Sequence, residues 1–129
     1  AEFQPMKVIN EKTSRMPGVT FDPDTRIMTI EGEAYPEDVT AAFAPIFTAL
    51  EEILAEDAGG TTTLDFQMQY FNSGSSRKIL EIIRMLDEVG ADNKVIWRAD
   101  PEDDEMIGHG KRFSRALAHA SFEVIEEEL

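Results

Sequence analysis

The sequence contains no cysteine. That excludes a disulfide framework and any thiolate-ligated metal, and it fits a reducing compartment. Histidine is nearly as scarce, at two residues. His109 and His119 lie ten apart, so on one continuous helix they would point about 80° away from a common face. Both are expected at the surface. No H-E-x-x-H, no G-x-S-x-G and no phosphate-cradling glycine loop occurs, so the common nucleophile and nucleotide signatures are missing. Gly59-Gly60 precedes a strand pattern instead of following one, the wrong context for a nucleotide. Lysine and arginine number 12 against 26 acidic residues, a formal net charge of −14. Such a field repels nucleic-acid phosphates and anionic membranes, and favours a partner with a basic face. No apolar run approaches the roughly 18 residues of a membrane span. Ala1-Glu2-Phe3-Gln4-Pro5 lacks the basic-then-apolar pattern of a secretory signal. A soluble, cytoplasmic, non-enzymatic protein is expected, with no catalytic residues, cofactor or metal, and with neither nucleic acid nor membrane as partner.

What is present suits one domain over 1–129, with residues 1–6 expected to be flexible. At 129 residues and 42% hydrophobic, the chain can build a core of two or three layers. Lys7-Val8-Ile9-Asn10 reads as a strand. Val19 to Asp22 and Arg26 to Gly32 read as a hairpin around the turn residues Asp22-Pro23-Asp24-Thr25. Tyr35-Pro36-Glu37-Asp38 opens a helix whose apolar positions, from Val39 to Leu54, recur at helical spacing. Pro45 predicts a kink, or a start near it. Ala58-Gly59-Gly60 ends the segment.

Thr61 to Phe71 is the clearest strand, with Leu64, Phe66, Met68 and Tyr70 alternating against Asp65, Gln67 and Gln69. One apolar and one polar face imply a sheet covered on one side. A second helix carries the stripe Ile79, Ile82, Ile83, Leu86 and Val89, stopped by Gly90. Lys94 to Trp97 is a strand. Asp100 to Glu105 starts a third helix, with Met106, Phe113 and Leu117 roughly on one face and weakened by Gly108 and Gly110. Phe122 to Ile125 closes the chain as a strand. Alternation in the second half predicts an α/β open mixed sheet of about five or six strands, with helices mainly on one face.

Two segments carry candidate chemistry. The acidic run Asp100, Glu102, Asp103, Asp104, Glu105 does not match a calcium loop, because Met106 follows where that loop needs glycine. A helix N-terminus explains it. The alternative function is a small metal-dependent hydrolase using this run and His109. The loop Asn72-Ser73-Gly74-Ser75-Ser76, between a strong strand and a strong helix, offers three hydroxyls. Serine capping of the helix is one role for them, worth about 1 kcal/mol. Phosphorylation is another, adding a charge of about −1.5 to −2 that a helix N-terminus accepts. Arg77 and Lys78 follow at once, placed to steady a phosphate or meet a partner.

Four stretches together resemble a known family. They are Met16-Pro17-Gly18-Val19-Thr20-Phe21-Asp22, then Ile30 to Glu37, then Leu64-Asp65-Phe66-Gln67-Met68-Gln69-Tyr70-Phe71-Asn72-Ser73, then Asp103-Asp104-Glu105-Met106 with Gly110-Lys111-Arg112-Phe113. The chain resembles the SiaC family of bacterial regulatory phosphoproteins over roughly residues 8 to 127. The resemblance implies a STAS-like fold, as in anti-sigma-factor antagonists, and partner switching. It implies a protein kinase and a PP2C-type phosphatase acting on the hydroxyl after the asparagine, and an output protein such as a diguanylate cyclase in cyclic-di-GMP and biofilm signalling. That hydroxyl falls on Ser73. The family usually has threonine there, and Gly74 interrupts the run of hydroxyls, so Ser75 and Ser76 stay open as acceptors. Asn72, Ser73, Gly74, Ser75, Ser76, Arg77 and Lys78 are the expected partner-binding residues.

Overall fold

The computed structural model describes residues 4–56, 61–90 and 92–128. The expected end of the first helix at Ala58-Gly59-Gly60 lies outside them, as do residues 1–3. Along the described residues run β1 Lys7–Asn10, β2 Gly18–Asp22, β3 Ile27–Ala34, α1 Val39–Glu56, β4 Thr63–Phe71, α2 Ser73–Val89, β5 Lys94–Ala99, α3 Asp104–Ser114 and β6 Ser121–Glu126. The strands form one sheet in sequence order. β1, β2 and β3 pair antiparallel, and β3, β4, β5 and β6 pair parallel.

That order decides where the helices go. Each parallel crossover advances the sheet in the same direction, and such crossovers are right-handed, so α1, α2 and α3 arrive on one face. The strand residues on that face are buried with the helices in one cluster: Val19 and Phe21, Met28 and Ile30, Leu64, Phe66 and Met68, Val95, Trp97 and Ala99. The other face is polar and carries ion pairs. Arg98 donates from Nε and Nη2 to the two carboxylate oxygens of Asp65 at 2.9 and 3.2 Å, and from Nη1 to Glu127 at 3.0 Å. The hydrogen bond to Asp65 raises the arginine pKa, burial opposes it, and Glu127 adds to the rise. Lys94 meets Glu123 at 3.0 Å on the same sheet.

Several local expectations are corrected. α1 starts at Val39, after Asp38 accepts the Ala41 N–H at 3.1 Å, so Pro45 lies inside the helix and does not mark its start. Proline removes the donor for the Ala41 carbonyl, but both residues are exposed, so water can replace the lost bond. Val89 is half exposed at the end of α2, outside the buried stripe. α3 begins at Asp104 with Asp103 as its cap, four residues later than the acidic run suggested, and Leu117 lies beyond its end.

The largest correction lies in β4. The pairing runs Gly32 with Met68 and then Glu33 with Tyr70, so Gln69 is an extra residue, a bulge. From there the alternation inverts. Tyr70 is 51% exposed and Phe71 only 8%, the opposite of the apolar stripe expected from spacing. Gly32, across from the bulge, has φ of +128°, a backbone that side chains with a Cβ rarely adopt.

Candidate functional site

The bulge delivers Phe71 into the core and leaves β4 aimed at the start of α2. Phe71 packs on Trp97, His109 and Phe113, with ring centroids 6.0, 4.8 and 6.2 Å away. Asn72 is the whole connection between strand and helix. Its N–H donates to the Ala34 carbonyl at 3.0 Å, prolonging the sheet. Its side-chain oxygen accepts the Ser75 N–H and its carbonyl accepts the Ser76 N–H, each at 2.9 Å. Asn72 is therefore the N-cap, and the expectation that a serine hydroxyl caps this helix is wrong. The asparagine precedes the first helical residue with extended φ and ψ, which a capping side chain needs.

The three serines have different fates. Ser73 occupies the first helical position and is exposed. Ser75 is fully buried, and its Oγ has no protein partner. Ser76 is half-buried and accepts a 3.5 Å hydrogen bond from Arg112 Nη2. Gly74 permits a close approach between helices, since a Cβ there would lie 3.0 Å from Val39 Cγ2. Arg77 and Lys78 line a groove with Val39, Thr40, Gly74 and Glu81, separate from the cleft that Ser73 and Ser76 face. Lys78 pairs with Glu81 at 3.4 Å and sits over the Phe47 ring.

α3 forms the far wall of that cleft. Asp103 accepts the Met106 N–H at 3.0 Å and Asp100 accepts the Glu102 N–H at 2.9 Å, so two members of the acidic run shape the start of the helix. Trp97 Nε1 donates to the Met106 carbonyl at 3.0 Å. A Cβ on Gly110 would lie 2.5 Å from Trp97 Cδ1. This glycine is thus the contact that seats α3 on β5, where helix propensity alone marks it as a weakness. The close seat brings His109 against Phe71 and Phe113.

His109 is not the surface residue expected. Its side chain is 22% exposed, with Nδ1 buried and unpartnered and Nε2 3.7 Å from Glu105. Burial lowers its pKa, the Arg112 charge lowers it further, and Glu105 opposes both. His119 lies apart, exposed in the connection after α3, its N–H donating to Asp87 at 2.7 Å. Among the described residues no group of three or more histidines or carboxylates is arranged to hold a metal ion, and no helix is long and apolar enough to cross a membrane.

The outcome is an open cleft of about 460 Å³ at the C-terminal ends of the parallel strands. Tyr70, Asn72, Ser73 and Ser76 line one side, and Glu105, His109 and Arg112 the other. Ligands of open α/β sheets commonly bind beyond this end. Sequence reasoning named the β4–α2 wall and, for a different chemistry, Glu105 and His109 of the α3 wall; it missed Arg112, although Lys111-Arg112-Phe113 stood among the recognisable stretches.

The profile described as SiaC family regulatory phosphoprotein matches residues 10–127. The structure of apo-SiaC from Pseudomonas aeruginosa aligns with a TM-score of 0.81 at 21% identity, covering 95% of this chain and 99% of that one. A chain in the structure of the diguanylate cyclase SiaD in complex with its activator SiaC, from the same organism, aligns with a TM-score of 0.78 at 20% identity, covering 88% and 95%. These likenesses show a shared fold. An uncharacterised protein of Pseudomonas aeruginosa strain UCBPP-PA14 is 22% identical over 104 residues, covering 78% of this chain and 82% of its own.

Proposed function

The chain belongs to the SiaC family of regulatory phosphoproteins, and from that premise we propose that it is a non-enzymatic partner switch in which phosphate on Ser73 decides what docks at the cleft. The observation that carries this reading is the division of labour at the head of α2. Asn72 does the capping, and the Ser73 hydroxyl is left exposed with no hydrogen bond to the described residues. A kinase reaches Ser73 without disturbing the fold. It reaches Ser75 only by opening the first turn, and Ser76 only by displacing Arg112.

A protein kinase adds the phosphate and a PP2C-type phosphatase removes it, both working in the cytoplasm. The unphosphorylated surface, residues Asn72 to Ser76 with Arg77 and Lys78 on the adjoining groove, binds the output protein. A diguanylate cyclase is the output the reading favours, supported by the SiaC of Pseudomonas aeruginosa, whose structure is that of an activator bound to such a cyclase. Cyclic-di-GMP and biofilm formation then follow the phosphorylation state. Phosphate weakens docking because a hydrated dianion must shed water to sit in a tight interface.

Binding and cyclase activity, measured with wild type, Ser73→Ala, Ser73→Asp and phosphorylated protein, test the proposal. Wild type and Ser73→Ala should bind and activate, and the phosphorylated form should do neither. Ser73→Asp should be weakened, though its smaller charge mimics phosphate incompletely. Equal affinity with and without phosphate would sink the switch. Phosphate mapped solely to Ser76 would move the acceptor and leave the switch standing.

A further inference from the structure

We propose that Arg112 is a built-in receptor for the phosphate of Ser73, drawing it across the cleft to tie α2 to α3; this rests on Ser73 being the acceptor. The geometry begins with Ser73 and Ser76, three apart on the first turn of α2. Residues so spaced share a helix face, with Cβ atoms about 5–6 Å apart. Arg112 already reaches that face, since its Nη2 donates to Ser76 Oγ at 3.5 Å. Ser73, Ser76 and Arg112 line the same cleft. At about 460 Å³, it has ample room for a phosphate beside water, whose share of liquid volume is about 30 Å³.

The guanidinium is positioned and uncommitted. It lies over the Phe113 ring, with Cζ 5.0 Å from the centroid, and Phe113 is fixed in the core. Among the described residues Arg112 pairs with no carboxylate, in a chain with 26 of them. Glu105 lines the same cleft but approaches His109 instead. A planar fork of donors, stacked on an aromatic ring and facing a hydroxyl pair, suits bidentate contact with phosphate oxygens. Lys78 is engaged with Glu81, and Arg77 borders the other groove, so the cation that faces the phosphate comes from α3. Glu105 works against the contact through its own charge. The consequence for the switch is physical closure: a phosphate held by Arg112 spans the cleft beside exposed Tyr70 and removes the surface an output protein needs.

The test uses the full chain with phosphate placed on Ser73 by translational incorporation of phosphoserine, so that it needs no kinase. The phosphorus resonance is titrated with pH, and the Arg112 Nε–H resonance is followed with and without phosphate. In the wild type the second ionisation should fall about half a unit or more below the ordinary value near 6, and the Arg112 resonance should shift. Arg112→Ala should raise the midpoint toward the ordinary value, with the helix N-terminus keeping part of the shift, and Arg112→Lys should fall between the two. Arg84→Ala, an exposed cation elsewhere on α2, should leave it unchanged. Equal midpoints in wild type and Arg112→Ala would overturn the clamp even with Ser73 confirmed as acceptor. Kinase mapping that finds phosphate solely on Ser76 would instead overturn the acceptor assignment, and with it this role for Arg112.

Discussion

Asn72 accepts the Ser75 N–H through its side-chain oxygen at 2.9 Å, and that bond leaves Ser73 without a structural task. Two residues that look interchangeable in a polar loop should therefore differ in stability experiments. Asn72→Ala should cost about 0.5–2 kcal/mol in urea denaturation, the usual loss of a cap. Ser73→Ala should stay within about 0.5 kcal/mol of wild type, as exposed substitutions do. Equal losses in the two variants would mean that Ser73 shares the capping.

The two glycines of α3 should respond in opposite directions. Gly110→Ala forces a methyl against Trp97 at 2.5 Å and should destabilise by about 1–3 kcal/mol through overpacking. Trp97 is the single tryptophan, so its fluorescence should report the disturbance directly. A methyl group on Gly108 would meet nothing within 4 Å, and Gly108→Ala should stabilise by up to about 1 kcal/mol.

Asp87 fastens the connection after α3 to α2. Its carboxylate accepts the N–H groups of Ala118, His119 and Ala120 at 2.9, 2.7 and 2.7 Å. Burial raises its pKa, but the three backbone hydrogen bonds outweigh burial and the net shift is downward. A depressed carboxylate stabilises the fold above its unfolded pKa, and that contribution is lost as pH falls through the folded value. Asp87→Asn should lose roughly 1–3 kcal/mol at pH 7. It should also show a flatter decline in stability below the ordinary carboxylate range, measured by urea denaturation across pH.

His109 should make the fold sensitive to mild acid. Its pKa lies below the ordinary histidine value because burial and then Arg112 disfavour the cation. The unfolded chain binds the proton first, so stability is full above the unfolded pKa and falls as pH drops from there toward the folded value. His109→Leu keeps the apolar contact with Phe71 and Phe113 and removes the titration. Its stability should change less than that of wild type between pH 8 and pH 5.

Much of this architecture could be read from local patterns. The hairpin, the alternation of Leu64, Phe66 and Met68 against Asp65 and Gln67, and the spacing of Ile79, Ile82, Ile83 and Leu86 each depend on neighbours within a few residues. The same holds for the hydroxyl loop between β4 and α2, and the alternating β–α order points to parallel strands joined by crossover helices, whose confinement to one face comes from the sequential order of the strands in the sheet. The recognisable stretches singled out Ser73 as the proposed acceptor.

The wall opposite Ser73 was decided elsewhere. The bulge at Gln69 exists through pairing with Gly32 and Glu33, far away in sequence, and an inserted residue leaves the apparent period of two undisturbed until a partner strand sets the register. Tyr70 and Phe71 therefore exchange faces with no local sign. Gly110 reads as a weak helix position until Trp97 is packed against it, and that packing carries His109 and Arg112 to the cleft. The elements, their order and the hydroxyl-bearing junction were legible in the chain alone, because propensity and periodicity are local. Which serine is buried and which arginine faces the others came from folding, because these depend on packing between distant elements, such as the contact of Ser76 with Arg112 thirty-six positions away.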